Sequence, residues 1–485
     1  MKKSFIESFK FDFKTRHAGI SALITMSVLA AIIIVNILAG QLDVKADLTS
    51  KKLFSLTGET EELLENLDQE VEILALFKPG EEPETVMETV NEYAHLSRKI
   101  KIRVIDPDRE PALMARFSST DKPVSKGSFI VSSGDFFRII TSMDMYEVSY
   151  SQQGQPQVLG QKVEQQLTSA IAYVVSGRTP KIYEIIGHRE SPLASLGYAQ
   201  ILNQANYSIE ELSLTLSGIP EDAALLTLIG PRTDLSEAET GMVNDYLKAG
   251  GKLFVALDLT RDPMTNIYQL LSSWDIKVRH GLVMESRADR LIAEFGDNPF
   301  VFAPYLSDNE AVANLNKAKT NPIFQAALGL ERTDAQQRQL EYFTLLSSSE
   351  DSRLRKDLQS EHSADQSFIP GDEKGPIDVA VAVRQRNMET YQPEGGALVV
   401  LGSGSTLKSL GNLGQIKANA DMVLDFINWI VADESTVNVP SKSLFHLPLR
   451  IDTLRGLIYA GITIIIIPFF CLGAGIFVYF RRRNK

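Results

Sequence analysis

KIYEII (181–186), ALLTLIG (224–230) and KLFVALD (252–258) decide the fold. Each is a short, continuous apolar run that closes on a polar or glycine-containing turn. Two helical patterns separate them. The first runs from about 193 to 205. The second begins at Ser236, with Glu239 three residues on, the spacing of a capping box. It carries Met242, Val243, Tyr246 and Leu247 on one side and stops at Gly250-Gly251. Unbroken apolar strands alternating with amphipathic helices predict a parallel sheet covered on both faces. The expected fold class is α/β, with a doubly wound parallel sheet.

In such sheets ligands lie beyond the carboxyl ends of the strands. The turns that fall there are 187–190, 230–233 and 258–262, which also hold Arg261 and Asp262. The candidate binding crevice is therefore His188, Arg189, Glu190, Arg232 and Asp258. The competing reading is that these are charged loop residues facing water.

Outward from this unit, the pattern continues on both sides. Upstream, Thr57 is placed to cap a helix whose first turn holds Glu59, Glu61 and Glu62. VEILALF (71–77) and IKIRVID (100–106) read as strands around a helix at about 86–94, and GSFIVSS (127–133) with FFRIIT (136–141) as a hairpin. A short strand is expected at 42–46. These elements predict a first α/β domain at 41–150. The doubly wound domain is expected at 151–435. It starts with a Gln/Gly/Ser-rich linker and a helix at 163–175. A helix at 266–274 and short strands near Lys277 and Leu282 follow. PIDVAVAV (376–383), ALVVLGS (397–403) and a helix at 419–430 close it. Residues 285–375 are hard to read, and 350–375, rich in Ser, Asp, Glu and Gln, predicts a mobile excursion. Residues 436–455 form a tether.

Two stretches stand apart. GISALITMSVLAAIIIVNILAG (19–40) and GLIYAGITIIIIPFFCLGAGIFVYF (456–480) contain no charged residue. At about 1.5 Å per residue each is longer than the roughly 30 Å hydrocarbon core of a bilayer. Transmembrane helices are expected at 18–40 and 456–480, anchoring the chain in the lipid bilayer. Lys2, Lys3, Lys10, Lys14 and Arg16 precede the first, and Arg481, Arg482, Arg483 and Lys485 follow the second. Basic flanks stay cytoplasmic. Both tails, 1–17 and 481–485, are thus expected in the cytoplasm of a bacterial cell, with the main region outside its inner membrane.

The chain carries a net charge of −12. The tails hold +3 and +4, leaving −19 on the rest. That balance argues against nucleic acid as a partner. The single Cys471 lies in the second apolar stretch, so the external region has no thiol nucleophile. A Gly-x-Ser-x-Gly elbow is absent. Gly402-Ser403-Gly404-Ser405-Thr406 follows a strand like a phosphate loop, but lacks the P-loop lysine and has Leu407 where a dinucleotide fingerprint needs glycine. It reads as a plain turn. The six histidines have no metal-ligand spacing. No catalytic, cofactor-binding or metal-ligating residue is assigned.

A doubly wound sheet with a Gly-His-Arg-Glu turn resembles amidotransferase-like folds, whose cysteine nucleophile is missing here. Over nearly its whole length the chain is similar to the GldG-like family of ABC transporter accessory membrane proteins. The resemblance rests on DLTSKKLFSLTGET (47–60), IDPDREP (105–111), EQQLTSAIAYV (164–174), KIYEIIGHRE (181–190), IGPRTDLSEAE (229–239), YLKAGGKLFVALD (246–258) and NADMVLDFINWI (419–430). It implies a non-enzymatic scaffold working with an ABC permease subunit and, through it, an ABC ATPase. The extracytoplasmic region is similar to a domain shared with an intraflagellar transport protein. The family often carries an acidic residue where this chain has Ser403. The resemblance does not name a substrate, and gliding motility is not carried over with it. The alternative is a membrane-tethered receptor for a solute or glycan without a dedicated transporter. Pro468, Gly473 and Gly475 suit the second span to close packing against a permease helix.

Overall fold

The computed structural model describes residues 26–34, 55–117, 124–150, 155–358, 367–390, 392–408, 416–432, 439, 442–443, 469 and 473. Met1–Ser55 and Leu56–Lys485 form two compact units. In the first, the described residues 26–34 are helical with exposed side chains. Among the described residues no helix is long and apolar enough to cross a membrane. Most of both expected spans, the strand at 42–46 and both tails lie outside the described residues.

The second unit opens with helix α1 (Gly58–Glu65), capped as expected by the Thr57 side chain. Strand β1 (Val71–Ala75), helix α2 (Glu84–Leu96) and strand β2 (Ile100–Val104) follow, then β3 (Phe129–Ser133) and β4 (Phe136–Ile140). The sheet runs β2-β1-β3-β4, with β1/β2 parallel and the hairpin antiparallel. Gly134 makes the hairpin turn at φ +56°, a conformation costly for side chains with a Cβ. Strands β5 (Tyr146–Tyr150) and β6 (Pro156–Gln161) pair beside it, and Lys442–Ser443 adds to β6.

Helix α3 (Val163–Ser176) was expected at this position in the chain, as part of the doubly wound domain. It buries Val163, Leu167, Ala170, Ile171 and Val174 in one core with Val71, Ile73 and Val131 of the first sheet and Val90 of α2. A buried polar joint reinforces this packing. Glu164 Oε1 accepts from Thr57 N (2.6 Å) and Thr60 Oγ1 (2.9 Å), and Tyr93 Oη lies 2.6 Å from Thr168 Oγ1. Two phrases of the family resemblance, 47–60 and 164–174, thus meet in one cluster. A buried carboxylate needs such donors to offset its lost hydration.

The central sheet has twelve strands. Its parallel half comprises β7 (Lys181–Ile185), β8 (Ser208–Leu212), β9 (Ala223–Ile229), β10 (Lys252–Ala256) and a late strand at Pro393–Leu401. The order is β8-β7-β9-β10, then the late strand, all parallel. Consecutive side chains go to opposite faces. Ile182, Leu225, Phe254 and Val399 enter one core; Tyr183, Leu226, Val255 and Val400 enter the other. Helices α4 (Ala199–Gln204) and α7 (Ile416–Val431) cover the first face. Helices α5 (Glu237–Lys248) and α6 (Thr265–Ser272) cover the second. That two-sided burial is why these strands read as unbroken apolar runs.

Several expectations need correction. The helix placed at 193–205 is only Ala199–Gln204, because Pro192 precedes a turn through Gly197 (φ +92°). β8 was not anticipated; its sequence SIEEL is mostly polar, as befits a sheet edge. The two short strands near 277 and 282 are one, β11 (Ile276–Met284), with a register break between Arg279 and Leu282. Gly281 sits in that break at φ +127°, where an added Cβ would lie 2.6 Å from the Arg355 carbonyl oxygen.

The largest change concerns 285–375. It supplies β12 (Leu328–Arg332), β13 (Leu340–Ser347) and β14 (Arg353–Arg355), which join β15 (Asp378–Arg386) and β16 (Pro393–Leu401) in an antiparallel extension of the sheet. The segment expected as a mobile excursion at 350–375 contains β14 and the pairing strand Glu373–Lys374. Arg355 and Asp372, both almost fully buried, form a two-pronged ion pair at 2.8 and 2.9 Å. A polar, charged composition conceals a buried ion pair from any reading that equates burial with apolar residues.

Candidate functional site

The parallel strands follow the order 2-1-3-4-5 in sequence rank, with the chain reversing direction across the sheet between β7 and β9. Crevices of doubly wound sheets form at this reversal, outside the carboxyl ends of the strands. The loops after β7 and β9 carry four of the five expected crevice residues: His188, Arg189, Glu190 and Arg232. Asp258 stands one strand further along, after β10.

The loop after β7 is wound tightly upon itself. Gly187 has φ +122° and Arg189 φ +61°, the latter a conformation uncommon for a residue with a side chain. The Glu190 carboxylate holds this turn. Its Oε2 accepts from the backbone of Gly187 (3.1 Å) and His188 (2.8 Å), while its Oε1 lies 2.8 Å from His188 Nδ1. His188 Nε2 lies 3.2 Å from Glu239 Oε2 on the first turn of α5. The same Glu239 oxygen accepts from Ser236 N and Oγ, completing the capping box. Burial raises the Glu239 pKa, but the Ser236 and His188 contacts outweigh it and leave the carboxyl below its ordinary value. The backbone joins in as well: Arg232 N and Thr233 N both donate to the His188 carbonyl, at 2.9 and 3.1 Å.

His188 is therefore a buried clasp, 7% exposed, binding two loops to the start of α5. Both ring nitrogens face carboxylates, so neither is directed at a hydroxyl nucleophile. Glu239 belongs to this cluster too. The capping-box spacing revealed its role in the helix but not its contact with a histidine 51 residues earlier. Arg189 and Arg232 are exposed beside the clasp, and Arg261 and Asp262 are exposed on the loop after β10.

Asp258 belongs to a second cluster. Its Oδ1 accepts from Ser405 N (2.7 Å), and its Oδ2 lies 3.5 Å from Lys408 Nζ. The turn 402–406 thus already has a carboxylate at the backbone amide a phosphate would seek. The rest of that turn is equally engaged. Ser403 is fully buried, donating to the Gln325 carbonyl and accepting from Thr406 N. Asn419 clamps it from α7, its amide donating to the Thr406 and Ile323 carbonyls. Ser403 is thus a packing residue.

Among the described residues no group of three or more His, Cys, Asp or Glu side chains is arranged to hold a metal ion. A sizeable cleft of about 740 Å³ lies away from the strand ends, between β4, α3 and α4.

Residues 179–410 match the model of a family described as "ABC-type uncharacterized transport system". Residues 50–129 match a domain of unknown function, DUF7088. No curated protein matches the chain in sequence. Similar solved structures include the mmIFT52 N-terminal domain, 16% identical, covering 52% of this chain and 98% of that one, TM-score 0.36. A glutamine amidotransferase from Thermotoga maritima is 12% identical, covering 53% and 100%, TM-score 0.31. A putative ThuA-like protein from Bacteroides uniformis is 11% identical, covering 53% and 94%, TM-score 0.30.

Proposed function

We propose that this protein is a membrane-anchored, non-catalytic accessory subunit of an ABC transporter, because its residues 179–410 match the model of the ABC-type uncharacterized transport system family. It works beside a separate permease and, through that permease, an ATPase. The family match carries this reading. The clasp at the sheet's reversal point supports the non-catalytic part, since His188 is engaged on both nitrogens by Glu190 and Glu239. A general base needs a free nitrogen within reach of the proton it removes.

The two uncharged stretches and their basic flanks support anchoring in a bacterial cytoplasmic membrane, with both tails inside and the α/β region outside. The exposed Arg189 and Arg232, on loops stiffened by the clasp, make the strand-end face the docking side for a partner or ligand. Co-purification from native membranes, followed by mass spectrometry, tests the assignment. A permease and an ATPase should be recovered in fixed ratio to this chain. Recovery of the chain alone, under conditions that keep other ABC complexes whole, would refute it.

A further inference from the structure

The cleft of about 740 Å³ between the edge strand β4 and helices α3 and α4 lies within the roughly 300–1,000 Å³ typical of small-molecule sites. Its polar groups come from three elements. Arg138 projects from β4, Gln166 and Tyr173 from α3, and Gln200 and Asn203 from α4. Phe136 adds a half-exposed aromatic wall.

Arg138 is held in place by neutral groups. Its guanidinium stacks 4.7 Å over the Tyr173 ring and donates to Asn206 Oδ1, a neutral oxygen. Among the described residues no carboxylate forms an ion pair with it. The nearby Asp144 binds the backbone and hydroxyl of Thr141. Burial holds the guanidinium below its ordinary pKa, and the opposing attraction of Tyr173 and Asp144 does not restore it. Stacking fixes the plane of an arginine and leaves its edge donors for a bidentate acceptor.

Gln166 is the independent second sign. It is 7% exposed, lines the same cleft, and its amide nitrogen has no hydrogen-bond partner. Buried polar groups left unsatisfied are uncommon and costly, and one beside a cleft points to a missing acceptor.

We propose that this cleft binds a small hydroxylated carboxylic acid, with its carboxylate on Arg138 and its hydroxyls on the side-chain amides. One arginine matches one negative charge. A phosphate dianion would lack a second cation and would meet about twice the repulsion that a carboxylate monoanion meets from Asp135 and Asp144 on the lining. The amides of Gln166, Gln200 and Asn203 suit hydroxyls, and Phe136 suits the apolar face of a sugar ring. The site is separate from the strand-end face, and its occupancy does not depend on the transporter assignment.

Calorimetry on the full-length chain with D-glucuronate and D-glucose tests the proposal. Glucuronate should bind saturably and glucose should not. Arg138→Met should weaken glucuronate at least about tenfold, Arg138→Lys less, because lysine keeps the charge and loses the fork. Gln166→Leu should weaken it several-fold with Arg138 intact, which keeps the test open if the arginine variant fails to fold. Equal binding of glucose, glucuronate affinity unchanged in folded Arg138→Met, or no glucuronate binding up to about 10 mM would each overturn the proposal.

Discussion

Asp421, on helix α7, offers a test in which magnitude and sign both follow from its surroundings. Burial pushes its carboxyl up from 3.8 to about 6; Lys417 opposes the shift, Glu147 adds to it, and Lys162 opposes it again. Lys417 is itself bonded to Glu147 at 3.1 Å, so its charge is shared between two acids. A carboxyl whose folded pKa exceeds its unfolded one binds its proton more tightly in the native state. Its ionisation then costs nothing below about pH 4 and costs fully above about pH 6. The difference between 3.8 and about 6 corresponds to about 3 kcal/mol. Asp421→Asn removes the charge and keeps the shape. It should therefore stabilise the fold by up to about 3 kcal/mol at pH 7.5 and leave it nearly unchanged at pH 4. Trp429 lies on the same helix, packed edge-on against Phe343 at 6.0 Å, so its fluorescence during urea unfolding reports this region. An equal effect at both pH values, or a loss of stability at pH 7.5, would show that Asp421 is hydrated or paired in the folded protein.

Three further outcomes follow from the same contacts. His188→Ala combined with Glu190→Ala should destabilise the fold by about 2–4 kcal/mol, because it strips partners from the buried Glu239 and frees the turn after β7; Arg232→Ala, an exposed change, should cost under about 0.5 kcal/mol. Thermal unfolding of both variants checks this, and a double variant as stable as the parent would mean that the clasp faces water. Asp372→Ala leaves the Arg355 guanidinium buried without its carboxylate and should cost about 3–5 kcal/mol, read as a lower urea midpoint; a change below about 1 kcal/mol would place Arg355 in solvent. Exchanging 18–40 and 456–480 for unrelated apolar helices of equal length should abolish permease co-purification while the α/β region still folds, as judged by circular dichroism. Normal assembly of the exchanged chain would make the external region the docking element.

The parallel half of the central sheet was legible because its strands are buried on both faces. Burial of that kind leaves continuous apolar runs at 181–186, 224–230, 252–258 and 397–403, and no partner need be known to recognise them. The capping box at Ser236 and the cap at Thr57 were legible for a similar reason, since each is completed within four residues. What stayed hidden was set by distant partners. β8 is a polar edge strand that becomes a strand only by pairing with β7. The strands of 285–375 find their register on β11 and β15, and their stability includes an ion pair that composition reads as surface.

The same division runs through the candidate sites. Sequence determined that His188, Arg189, Glu190 and Arg232 share the carboxyl end of the sheet, because strand direction and loop order fix that much. Tertiary structure decided which of them remain free. His188 and Glu190 turn inward to meet Glu239, Asp258 turns to Ser405, and only the two arginines keep their heads in water. The cleft around Arg138 was invisible beforehand, since its residues come from three elements with no shared motif. A loop's position follows from chain connectivity, which is local. Whether a polar side chain is spent on a neighbour or left for a ligand depends on contacts across 51 to 147 residues of sequence, which only the folded packing specifies.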